Sequence, residues 1–191
     1  MTQPVKKTDE KDQFYSNKSN RYEISQEAKE LRKKGELEKA LVLYRELSKK
    51  DTDAYAAAGL LHCLRKLSLF DEALLLCAEA PQKHMDLDWY RGEVIWTLIQ
   101  GKLNRLDESA SVDEVAAVGD SILALEPKGI VAKWSIVRPV LKTAKSRSRW
   151  DIVSKWIKRV NPDELSTTPL KNDRGRDGWC DQAIWYNLRI R

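Results

Sequence analysis

No stretch of this 191-residue chain approaches the roughly 20 consecutive apolar residues that a membrane-spanning helix needs. Met1 to Asn20 is polar and charged and supplies no apolar segment of the kind a signal peptide carries. A cytoplasmic protein with no membrane partner is the expectation. Cysteine is scarce: Cys63, Cys77 and Cys180 form an odd set without metal-binding spacing, so they read as reduced thiols. His62 and His84 have no nucleophile or acid at a motif-like spacing, and no glycine-rich phosphate loop is present. Asp173 to Gly178 has the look of a calcium loop but lacks its ligand pattern and closing glutamate. These absences predict no catalytic residue, no metal and no cofactor, and a chain that is not an enzyme.

Acid is what residues 128 to 161 lack. They hold 10 Lys and Arg and one carboxylate, Asp151, whereas residues 1 to 127 carry 19 Lys and Arg against 23 Asp and Glu. A mildly acidic front is thus joined to a strongly basic back, a candidate surface for an anionic partner. Charged residues make up 33% of the whole and hydrophobic ones 42%, the balance of a surface-rich domain. Its length allows about 70% of the unfolded surface to be buried.

The richest pattern is a repeat. Ala28, Leu31, Gly35, Leu37, Ala40, Tyr44 and Leu47 recur 33 residues later as Leu61, Leu64, Ser68, Phe70, Ala73, Cys77 and Ala80. Each set is an apolar stripe at helical spacing, a break, then a second stripe around a small residue. The pattern predicts a helix, a tight turn and an antiparallel helix, with Ala40 and Ala73 allowing close backbone approach. Such a unit cannot bury its apolar face alone and is expected to stack on neighbours.

The repeat divides the chain. Residues 1–20 read as a disordered polar arm, with helical periodicity beginning near Tyr22 and Ser25 as a candidate cap or early-turn residue. Units follow at about 21–52, 53–86, 87–127 and 128–161, within a helical repeat domain 21–161. Asp51 to Asp53 is expected to cap the second unit. In the third, Trp89, Val94, Ile95, Leu98 and Ile99 form the apolar stripe, an insertion spans Arg105 to Ser111, and Gly119 predicts a gap or a close helix contact. In the fourth, Pro139 is expected to kink or shorten the first helix. Trp134 and Trp150 match core positions. Residues 162–178 read as a loop and 179–191 as a terminal helix, either a cap or the start of a further unit. Its apolar residues predict continuation of the chain or an oligomeric contact.

The spacing, and the run Lys34-Gly35-Glu36-Leu37-Glu38-Lys39-Ala40-Leu41, resemble the tetratricopeptide repeat. The resemblance implies an all-α fold of stacked helix hairpins in a short right-handed solenoid. It also implies partner binding on a concave face lined by the first helix of each unit. Its groove positions fall on Tyr22, Ser25, Lys29, Arg32 and Lys33 in unit one. In unit two they fall on Tyr55, Ala58, His62, Arg65 and Lys66, and in unit four on Ser135, Arg138, Lys142, Lys145 and Ser146. Eight of these are cations and none is a carboxylate, so a basic groove for an acidic peptide or protein segment is expected. Gly59 stands where a chaperone-type carboxylate clamp would have asparagine, which argues against that clamp.

Two other functions fit the residues. Arg147, Arg149, Lys155, Lys158 and Arg159, with Trp156 as the aromatic expected to be exposed, could track RNA or single-stranded DNA. Alternatively the chain is an assembly scaffold whose apolar terminal helix pairs with another subunit.

Overall fold

The computed structural model describes residues 9–50 and 53–160, with side chains described over 20–48 and 53–160. Among the described residues the regular elements are all helical. They are α1 (Asp9–Lys34), α2 (Leu37–Lys50), α3 (Ala54–Lys66), α4 (Phe70–Ala78), the single turn α5 (Gln82–Met85), α6 (Asp88–Gly101), α7 (Val112–Leu123), α8 (Ile130–Ser146) and α9 (Trp150–Ile157). A 3₁₀ turn at Leu103–Arg105 follows α6. None of these helices is long and apolar enough to cross a membrane. The expected loop at 162–178 and terminal helix at 179–191 lie outside the described residues.

The first helix starts well before the apolar periodicity does. Between Pro4 and Gly35 the sequence has neither proline nor glycine, and α1 runs from Asp9 across residues 9–20, read above as a polar arm, and through Ser25. Ser25 is therefore a mid-helix residue and not a cap. Asp53 does cap α3, its carboxylate accepting the Tyr55 N–H at 3.2 Å. Ser111 caps α7 by accepting the Glu114 N–H at 3.1 Å.

The breaks at Gly35 and Ser68 have the same backbone. Both are left-handed, with φ of 81° and 60°, and Ser148 between α8 and α9 joins them at 56°. In each turn the next residue's N–H reaches back five positions: Glu36 to Leu31, Leu69 to Leu64 and Arg149 to Ala144, all at 2.9 Å. One hydrogen-bond pattern thus closes three helix hairpins and satisfies carbonyls left orphaned at the helix ends. Gly35 adopts the conformation without Cβ strain, whereas the two serines carry it.

Packing follows chain order. Helix α1 pairs with α2, α2 with α3 and α3 with α4; α3 and α4 both pack on α6; α8 packs between α7 and α9. A front core gathers Ala28, Ala40, Tyr44, Leu61, Leu64 and Ala73, and a back core gathers Ile122, Trp134, Val137, Val140, Val153 and Ile157. Helix α6 joins them. Tyr90 and Val94 enter the front core, while Ile95 and Ile99, rotated ~100° from their neighbours, enter the back one. Burying each large side chain contributes about 1.5–3 kcal/mol, so the two cores hold the helices in register.

Two glycines mark the closest approaches. A Cβ on Gly59 would lie 2.3 Å from two carbons of the Tyr44 ring, so α3 crosses α2 directly over that ring. A Cβ on Gly119 would meet Trp156 Cη2 at 2.7 Å and Val140 at 3.2 Å. The close contact expected at Gly119 is therefore made by Trp156, which is 1% exposed. That corrects two expectations. Trp156 belongs to the core because the Gly119 gap admits its ring, while Trp150, at the first position of α9, is 42% exposed. Helix α8 runs its full 17 residues through Pro139 and is not shortened.

Candidate partner-binding site

Helices α1, α3 and α6 enclose a cleft of about 400 Å³ lined by Arg32, Tyr55, Ala58, Gly59, Trp89 and Glu93. Gly59 is part of the lining, and the space that a Cβ there would take is filled by the Tyr44 ring of α2. Tyr55 and Trp89 stand at the mouth, 50% and 47% exposed, with ring centroids 5.6 Å apart at 52°. Trp89 is steadied edge-on by the buried Tyr90 ring at 6.3 Å. Arg32, Tyr55 and Ala58 are three of the groove positions expected from the sequence. Trp89 falls by spacing in the apolar stripe of the third unit, and Glu93 matches none of the expected groove positions.

Glu93 changes the electrostatics of this face. Arg65, only 8% exposed, donates from Nη2 to Glu93 Oε2 at 2.8 Å, and His62 Nδ1 lies 3.5 Å from Oε1. Burial pushes the Glu93 carboxyl up, but hydrogen bonds from His62 and Arg65 and the Arg65 charge outweigh burial and leave it below its usual range. The groove positions assigned in units one, two and four hold no carboxylate, but α6, in the third unit, supplies one, and Arg65 pairs with it. Arg32 has no ion-pair partner among the described residues. Lys29 is half-buried one turn before it, Lys33 pairs with Glu30 at 2.8 Å, and Lys66 is exposed.

A second cleft, of about 650 Å³, lies between α8 and the connection after α6. Ser135, Arg138, Lys142 and Ser146, four of the five groove positions expected in unit four, line it together with Arg147, Asp107 and Glu108. Lys145 is exposed. Arg147 donates to the carbonyls of Glu108 and Ser109 at 3.0 and 3.2 Å, so it pins the connection.

The basic block beyond this cleft is less bare than its sequence. Arg149 grips Asp151 through Nε and Nη2 at 3.0 and 2.9 Å and lies 3.6 Å from Asp113. The Arg149 hydrogen bonds hold the Asp151 carboxyl at about 2. Arg159 pairs with Asp120 and sits 4.3 Å above the Trp156 ring, and Lys128 pairs with Asp88. The acids at Asp113 and Asp120 come from α7, outside the block, which is why counting charges along the sequence missed them. Lys155 and Lys158 are exposed. With Trp156 buried, the ring expected to stack on bases is unavailable to them.

Cys63 is a buried core residue and Cys77 is half-buried against the same core. Burial pushes Cys63 up to about 11 and Cys77 up to about 12. Against models of known families, curated proteins and solved structures, the chain has no match.

Proposed function

We propose that this chain is a non-enzymatic interaction module, a short tetratricopeptide-like solenoid of helix hairpins, that holds an acidic peptide or protein segment. The segment lies in the α1–α3–α6 cleft, with the α8 cleft as a second anchoring point. The observation that carries this reading is Arg32, a cation with no ion-pair partner among the described residues, at the edge of an open cleft walled by two half-exposed aromatic rings. The three hairpin turns with one hydrogen-bond pattern support the repeat.

Calorimetric titration with an acidic peptide, for example one of alternating glutamate and alanine, tests it. Arg32→Glu and Lys142→Glu are each expected to weaken binding at least tenfold, and Lys158→Glu, outside both clefts, to leave it within about twofold. Equal losses at all three positions would mean general charge attraction and no groove.

A further inference from the structure

We infer that the second cleft, between α8 and the connection after α6, is a binding site for a small zwitterion with an apolar side group, the class of free apolar amino acids and dipeptides. The site is a product of the insertion in the third unit. Residues 35–36 join α1 to α2 and 67–69 join α3 to α4, but 102–111 join α6 to α7. That longer connection is held in shape. Leu103 and Ala110 are buried in the back core, Asp107 accepts the Ser109 N–H at 2.7 Å, and Arg147 clamps two carbonyls. The connection therefore forms a fixed wall facing α8, and the space between them, about 650 Å³, falls in the range of small-molecule sites.

Charge points to a zwitterion. Of the charged side chains in the lining, Asp107, Arg138 and Arg147 are already engaged. Lys142 and Glu108 are left, one charge of each sign, both exposed and neither in an ion pair among the described residues. An anion alone would face Glu108 and a cation alone would face Lys142, whereas a ligand bearing both charges satisfies both. Pro139 adds an acceptor. Having no N–H, it gives the Ser135 carbonyl no helical donor, and both residues line the cleft. The ligand's ammonium thus meets Glu108 and the Ser135 carbonyl, its carboxylate meets Lys142, and its apolar group rests on Leu106, Val115 and Pro139. Nothing in this site depends on the α1–α3–α6 cleft, and it shares only Lys142 with the anchoring of an acidic segment.

Calorimetric titration of the intact protein with leucine, leucyl-leucine, N-acetyl-leucine and leucinamide tests the site, the last two lacking the ammonium and the carboxylate respectively. Leucine or its dipeptide is expected to bind, the tighter of the two identifying the source, and each single-charge analogue to bind at least tenfold more weakly. Glu108→Gln is expected to weaken the zwitterion at least tenfold and to leave the peptide of alternating glutamate and alanine within about twofold. Lys142→Gln is expected to weaken both. Both side chains are exposed, so thermal melts of these variants should match the parent.

Equal binding of N-acetyl-leucine, retained in Glu108→Gln, would overturn the zwitterion site and show that a carboxylate alone is recognised. Equal binding of leucinamide, retained in Lys142→Gln, would overturn it in favour of a cation site. Binding of neither leucine nor the dipeptide would remove the site and leave the groove reading to be judged by the acidic peptide at Arg32.

Discussion

Glu93→Gln removes one charge and almost no volume, which isolates the electrostatic role of this carboxylate. In the parent protein Glu93 is the counter-charge of Arg65, whose guanidinium is buried and accepts no other charged partner among the described residues. Breaking a fully buried pair by removing one member costs about 3–5 kcal/mol. A hydrogen bond to a charged group is worth about 1.5–3 kcal/mol. Glu93 and His62 are each about one-quarter exposed, so water recovers part of the loss and about 2 kcal/mol is expected. For a chain of this length that lowers the melting temperature by roughly 4–8 °C.

Urea denaturation of the parent, Glu93→Gln, Arg65→Met and the double variant completes the cycle. The double variant should be more stable than the sum of the singles predicts by at least about 1 kcal/mol, since no lone charge is left buried. The pH dependence follows from the direction of the carboxyl shift. Glu93 lies below its ordinary value of 4.5 in the folded protein, so its contribution is complete above that value and is lost as pH falls through the folded one. The gap between parent and Glu93→Gln should be constant near neutral pH and close in acid. A loss under about 0.5 kcal/mol at neutral pH, or strict additivity in the cycle, would refute the pairing.

Gly59→Ala should destabilise more than Gly119→Ala. Alanine gains about 0.8–1 kcal/mol in helix propensity at either site, but overpacking costs about 1–3 kcal/mol, and the Tyr44 clash at 2.3 Å is the harder of the two. Denaturation midpoints in the reverse order would contradict the α2–α3 crossing. Ser68→Gly should stabilise by a few tenths to about 1 kcal/mol, because glycine accepts φ of 60° without Cβ strain, whereas Gly35→Ala should cost about 1 kcal/mol; thermal melts check both. In a Cys180→Ser background, buried Cys63 should react with a thiol reagent only as fast as the fold opens and more slowly than half-buried Cys77, and rapid native-state labelling of Cys63 would show that it is not buried.

Much of the fold was legible because two hairpins share one pattern. Gly35 and Ser68 announced the same turn, and Ala40 and Ala73, both fully buried, announced where helices approach. Arg32, Tyr55 and Ala58, groove positions implied by the tetratricopeptide resemblance, line one cleft. The third unit lacked that guide. Its helix α6 serves two cores at once, so its apolar residues do not form a single stripe, and neither the outward turn of Trp89 nor the inward reach of Glu93 could be read from spacing. Trp150 and Trp156 exchanged roles for a similar reason: helical spacing alone cannot show that Gly119, on another helix, leaves room for an indole. The basic block looked almost unopposed because, Asp151 apart, the acids that pair with it sit more than 30 residues away in the chain.

The central claim is an acidic protein segment in a groove at Arg32, and parallel anisotropy titrations test it most directly. One labelled probe is the peptide of alternating glutamate and alanine, the other a single-stranded RNA, each at low and near-physiological salt, with parent and Arg32→Glu. The account predicts that the peptide binds at both salts and is lost in Arg32→Glu. Tight RNA binding with a steep salt slope, indifferent to Arg32→Glu, would contradict it.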